Sequence, residues 1–145
     1  NLWGQTQYES GGSTFIKIRN SYDGMSNFCD NSNDLLWLTV AHEFFHAIQF
    51  SYNCYEKLWF MEATAVWAED ELYDNINDHY RYMASWFSNP EKPLNYTSGI
   101  HMYGTFIFFQ YIEPLKYELS YHLCYFQKYQ TTLKDLKSLW KTIIS

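Results

Sequence analysis

The sequence predicts an α+β domain that is predominantly helical, and three observations point there. From Leu35 to Tyr73 apolar residues are dense, with no Gly or Pro to interrupt them, which is the signature of buried helices. From Ser13 to Arg19 the chain alternates Ile16 and Ile18 with Lys17 and Arg19, the period-two pattern of a half-buried strand. A second apolar run, Met102 to Ile112, stops just before Pro114, which cannot continue a helix. With 145 residues and 47% hydrophobic side chains, the chain can bury one substantial core.

Taken in order, residues 1–12 are polar and carry Gly11-Gly12, so they read as a turn or loop. Residues 13–19 are the strand, and 20–33, rich in Asn, Ser, Asp and Gly, a loop. Asp34, or Asn33 with Asp34 in the first turn, caps a helix running from Leu35 to about Tyr52. Asn53–Glu56 is a turn, and Lys57 to about Tyr73 a second helix. A break at Asn75–Asp78 precedes a third helix ending near Phe87. Asn89-Pro90-Glu91-Lys92-Pro93 opens a loop that runs through Ser98-Gly99. Met102–Ile112 is a fourth helix. Two amphipathic helices follow, striped by Leu119, Leu123 and Phe126, then by Leu133, Leu136, Trp140 and Ile143; the second opens on Thr132-x-x-Asp135, a capping-box variant. No internal repeat is visible, and residues 1–145 read as a single domain. The chain begins at Asn1 without a visible leader and is expected to be part of a longer protein.

Composition excludes several classes. Ten Lys and Arg against sixteen Asp and Glu give a net charge of −6, whereas a nucleic-acid binder tracking phosphates needs a basic face. Only 18% of residues are charged and 21% are aromatic, which argues against a disordered chain. No apolar run is long enough for a membrane span. The three cysteines, Cys29, Cys54 and Cys124, do not form a disulfide framework. Cys29 and Cys54 flank a helix about 28 Å long, too far for a bridge, while Cys124 with either partner stays open. Oligomeric state is not legible.

The chemistry lies in His42-Glu43-Phe44-Phe45-His46. On a helix, residues i and i+4 share one face, so both imidazoles can bind one ion. Glu43 points about 100° away and is placed to take a proton from water instead. A catalytic metal needs a third protein ligand and an open position, with Glu56, Glu62 and Glu69 as candidates. If the two helices are antiparallel, His46 lies about 9 Å back from the turn and Glu62 about 7.5 Å beyond it. Glu56 sits in the turn itself. Glu69, seven residues past Glu62, reaches the level of His42. Glu62 is therefore the expected third ligand, and Glu69 the acceptor for the remaining N–H of His42.

His-Glu-Phe-Phe-His followed by Trp59-Phe-Met-Glu-Ala-Thr-Ala-Val-Trp-Ala-Glu69 resembles the gluzincin zinc metallopeptidases. Their aminopeptidase branch carries E-x-x-A-x-aromatic-x-E, matched here by Glu62, Ala65, Trp67 and Glu69; Ala63 stands where those enzymes have Gly, and Met61 where they have Asn. A little-characterised family of mostly secreted bacterial metalloproteases is still more similar, over A-H-E-F-F-H-A-I-Q, M-E-A-T-A-V-W-A-E-D-E-L-Y-D-N-I-N-D, N-P-E-K-P-L-N-Y and Y-G-T-F-I-F-F-Q-Y-I. These stretches span about residues 14–112. The resemblance implies a zincin-like fold with an active-site helix, an antiparallel glutamate helix and an upstream edge strand. It also implies one catalytic Zn2+ on His42, His46 and Glu62, hydrolysis of peptide or protein substrates with Glu43 as general base, and an extracellular location. Gluzincins supply an oxyanion donor downstream of the glutamate helix; here Tyr103 is favoured, with His101 as the alternative.

Weaker features complete the reading. Glu69, Asp70, Glu71, Asp74 and Asp78 crowd one segment; a solvated face explains them, and a Ca2+ site is the sharper alternative. Phe44, Phe45, Trp59, Phe60 and Trp67 are expected to wall a dry metal pocket, with Phe106, Phe108 and Phe109 packing the next helix onto them. Two other functions fit the class of fold: a non-catalytic peptidase-like binding domain that keeps its metal, and a helical partner-binding module in which the His–Glu cluster is structural.

Overall fold

A computed structural model describes residues 3–9, 12–25 and 32–113. The α+β, mostly helical class holds: among the described residues a two-stranded antiparallel sheet, β1 (Gly4–Tyr8) and β2 (Thr14–Ile18), precedes five helices. These are α1 (Ser32–Tyr52), α2 (Leu58–Leu72), α3 (Tyr80–Phe87), α4 (His101–Gly104) and α5 (Phe106–Ile112). Residues 1–109 form one compact unit by contact density. This unit holds every candidate site residue. The two helices expected after Pro114, together with Cys29 and Cys124, lie outside the described residues.

β1 is the main departure from the sequence reading, which assigned residues 1–12 to a loop. Its register pairs Gly4 with Ile18, Thr6 with Ile16 and Tyr8 with Thr14. Gly4, Thr6 and Tyr8 therefore share one face, and that face meets α1. Thr6 bonds to Glu43, and the Tyr8 ring lies 6.0 Å from that of Phe50. Of the inward positions, Gly4 and Thr6 are small or polar where they meet the Glu43 side chain, so no hydrophobic alternation marks the strand.

α1 begins at Ser32 rather than Leu35, which moves Asn33 off the cap and leaves Asp34 in the first turn, where its charge suits the helix dipole. α1 and α2 run antiparallel: His46 meets Glu62, and His42 meets Glu69. In the connection, the backbone N–H of Tyr55 donates to the Asn53 side chain at 3.0 Å, a local turn device. α2 is buried on nearly all sides from Ala63 to Glu69, and its three alanines permit close approach of neighbours. Trp67, Phe45, Phe106 and Leu35 form the centre of the core.

The expected helix 102–112 begins at His101 and breaks at Thr105 into α4 and α5. The Thr105 hydroxyl folds back onto the His101 carbonyl at 3.4 Å, a bond that competes with the regular ladder. A Cβ on Gly104 would stand 3.0 Å from Trp86 Cβ and 3.1 Å from the Tyr82 carbonyl oxygen. This glycine thus lets α4 approach α3 closely.

Candidate metal centre

The two histidines of α1 stand one helical turn apart, with rings edge to face at 4.6 Å. Glu62 of α2 reaches between them: its Oε2 is 3.1 Å from His42 Nε2 and 3.5 Å from His46 Nε2. Ligand atoms of the three residues all lie within 4.8 Å of one another. A tetrahedral ion with bonds of about 2.1 Å separates its donors by about 3.4 Å. The two distances from Glu62 are close to that edge length, so this group could hold a metal ion. Among the described residues no other His, Cys, Asp and Glu side chains converge in this way.

The other nitrogen of each ring is also engaged. His42 Nδ1 lies 2.5 Å from Glu69 Oε1, about two turns along α2 from Glu62. His46 Nδ1 lies 2.6 Å from Gln49 Oε1. Gln49 is fully buried, and its amide nitrogen donates to the Met61 carbonyl at 3.0 Å and to Thr64 Oγ1 at 2.8 Å. Thr64 Oγ1 in turn donates to the Phe60 carbonyl at 2.6 Å. These bonds fix which end of the Gln49 amide faces His46, so His46 donates from Nδ1 and turns Nε2 toward Glu62. Both donors are oriented by partners behind them, as ligating histidines require.

The electrostatics of the group favour positive charge at its centre. Burial disfavours a charged His42, but Glu62 and Glu69 outweigh it and push its pKa up to about 10. Burial likewise opposes charge on Glu62, yet His42 and His46 hold its carboxyl below the usual range. For Glu69 burial wins and raises it, against the pull of His42 and Arg81. A divalent ion held by this group would take the place of the proton on His42 Nε2.

A cavity of about 380 Å³ opens beside the group. His42, Glu43 and Glu69 line it with Trp3 and Gly4 at β1, and with Arg81, Tyr82, Ile100 and Tyr103 opposite. Glu43 is buried on this wall, and Thr6 Oγ1 donates to its Oε2 at 2.8 Å. Tyr103 lies 6.3 Å from the His42 ring, centroid to centroid, and stacks on Tyr82 at 5.1 Å. Burial, with the charges of Glu62 and Glu43, pushes the Tyr103 hydroxyl up to about 12. It therefore keeps its proton at neutral pH as a donor. Arg81 is held flat against Trp3, its guanidinium carbon 3.6 Å from the ring centroid, and pairs with Asp78 at 3.0 Å; it also bonds the Tyr82 hydroxyl.

Several expectations change. His101 is buried between Trp86, stacked at 4.7 Å, and Tyr96, edge-on at 5.5 Å; it packs α4 and does not line the cavity. The rings on the cavity wall are Trp3, Tyr82 and Tyr103. Phe45 and Trp67 instead lie in the core, Phe44 is exposed, and Trp59 and Phe60 cluster with Phe109. The hydrophobic interior of the helix pair thus sits behind the ligands rather than around an ion. The strand beside the cavity is β1, not residues 13–19. The acidic segment does not gather into a Ca2+ site: Glu69 turns to His42, Asp70 to His79 at 3.4 Å and Asp78 to Arg81. Cys54 carries a free thiol.

Sequence reasoning missed Gln49, Thr64, Thr6, Trp3, Arg81 and Tyr82. Only Gln49 carried a local signal, as a polar residue three positions after His46 within an apolar run. Compared with protein-family models, with curated proteins and with solved structures, the chain matches none.

Proposed function

We propose that this chain is the catalytic part of a zinc-dependent metallopeptidase of gluzincin type, with a zincin-like arrangement of helices. The observation that carries the reading is the convergence of ligand atoms of His42, His46 and Glu62 within 4.8 Å of one another, with Glu43 and Tyr103 on the wall of the adjoining cavity. A His₂Glu donor set favours zinc over harder ions. When bound, zinc would supply a Lewis acid for a peptide carbonyl and bring the pKa of water to about 7. Glu43 accepts the proton that water loses as it attacks the carbonyl carbon, then delivers it to the leaving amine. Tyr103, neutral at working pH, donates a hydrogen bond to the developing oxyanion. Glu69 and Gln49 keep the two imidazoles in place throughout.

Metal content and proteolysis test the reading together. Protein purified without chelator is expected to carry about one equivalent of zinc per chain and to cleave unfolded protein substrates until chelated. Glu43→Gln should keep the metal and lose activity by at least about 100-fold. Zinc stoichiometry near zero, or full activity in Glu43→Gln, sinks the mechanism. Zinc retained without any proteolysis in the wild type would favour a peptidase-like binding domain.

A further inference from the structure

β1 does more than close one side of the cavity. Gly4 and Thr6 lie two apart on the same face of the strand, and both meet Glu43. Thr6 Oγ1 stands 2.6 Å from the Glu43 backbone oxygen and 2.8 Å from its Oε2. At Gly4 an added Cβ would stand 2.6 Å from Glu43 Cγ, 2.7 Å from Thr39 Cγ2 and 2.8 Å from Glu43 Oε1. The carboxylate thus occupies the space a side chain at position 4 would fill, and a hydroxyl at position 6 holds one of its two oxygens. Glu43 is buried, and a buried carboxylate without a fixed donor samples rotamers that are not all useful to a reacting water.

We infer that Thr6 is a positioning residue for the Glu43 carboxylate, with Gly4 supplying the room. This rests on the reading of Glu43 as general base. Thr6 touches neither substrate nor metal ligand; it acts by fixing the orientation of the Glu43 carboxylate through Oε2. A hydroxyl that served only to fasten β1 to the α1 backbone would leave the side chain of Glu43 indifferent to its loss.

The test compares Thr6→Val, which keeps the shape and removes the donor, with Thr6→Ser, which keeps the donor, each loaded with one equivalent of zinc. Thr6→Val should bind zinc as the wild type does. Its kcat on quenched fluorescent casein should fall about 10- to 100-fold with KM within about twofold, and Thr6→Ser should recover most of that loss. Crystal structures of the metal-free proteins read the same point without turnover. The Glu43 carboxylate should leave its place beside β1 in Thr6→Val and keep it in Thr6→Ser. Thr6→Ala serves the same comparison if Val does not fold. Wild-type kcat in Thr6→Val, or an unmoved Glu43 in its crystal structure, overturns the inference. An inactive, zinc-loaded wild type overturns the peptidase reading instead, and the crystal structures then decide the role of Thr6.

Discussion

His46 Nδ1 and Gln49 Oε1 lie 2.6 Å apart in the interior between α1 and α2. The amide is itself turned by the Met61 carbonyl and the Thr64 hydroxyl. One turn of α1 thereby carries both a candidate metal donor and the group that sets its tautomer. Replacing Gln49 by Met keeps the volume and removes the acceptor. The Kd for zinc should rise about 10- to 100-fold, read by competition with a chromophoric chelator at fixed pH. An unchanged Kd in a folded Gln49→Met protein would show that His46 needs no such partner.

Metal binding should also be visible as proton release. His42 lies between two carboxylates with its pKa pushed up to about 10, so at neutral pH the metal-free ring is charged. A metal at Nε2 displaces that proton, and about one proton should leave per ion bound. Calorimetry in buffers of different ionisation enthalpy measures the count. Zinc at about 100 times its Kd should stabilise the fold by about 2.7 kcal/mol, seen as a higher Tm that falls back on chelation. Zero net proton release would mean that the ion does not contact His42.

How far the sequence reached follows from what each element packs against. α1 and α2 were legible because their burial leaves an apolar run that only buried helices satisfy. The pairing of His46 with Glu62 and of His42 with Glu69 followed from equal rise along two antiparallel helices. β1 was not legible, since Gly4 and Thr6 face a carboxylate and carry no apolar alternation. The break at Thr105 accompanies the Thr105 hydroxyl's bond to the His101 carbonyl and the close approach of Gly104 to α3, neither of which an apolar run reveals. The cavity wall joins Trp3, Arg81, Tyr82 and Tyr103 from distant stretches, and a single sequence does not show which of 14 Tyr meets a histidine.

The metal-free protein should have a pH profile set by the same cluster. The folded pKa of His42, about 10, exceeds its unfolded value of 6.5. Its contribution to stability is therefore complete below pH 6.5 and is lost as pH rises toward 10. Glu62 has the opposite sign: its folded pKa lies below 4.5, so its contribution is present above that pH and fades as pH falls. In chelator, Tm should decline between pH 6.5 and about pH 10, and the decline should flatten in His42→Phe. An equally steep decline in that variant would assign the alkaline loss to other groups.

Gly4 gives the sharpest stability test of the strand-to-helix approach. The contacts awaiting a Cβ there involve Thr39 Cγ2 and the Glu43 side chain, all under 3.0 Å, and both residues are buried on α1. Neither can withdraw without disturbing what it packs against. Gly4→Ala should therefore destabilise the domain by about 1–3 kcal/mol, although the same change at an open strand position would favour folding by reducing the freedom of the unfolded chain. Denaturant midpoints of Gly4→Ala and of Gly12→Ala separate the two causes. Gly12 has open space around it and φ of +89°, so its cost is backbone strain alone, which a Gly12→Asn variant should partly relieve. At Gly4 no residue with a side chain should do so. A Gly4→Ala protein as stable as the wild type would mean that β1 can lift from α1, and that Glu43 is free of the strand.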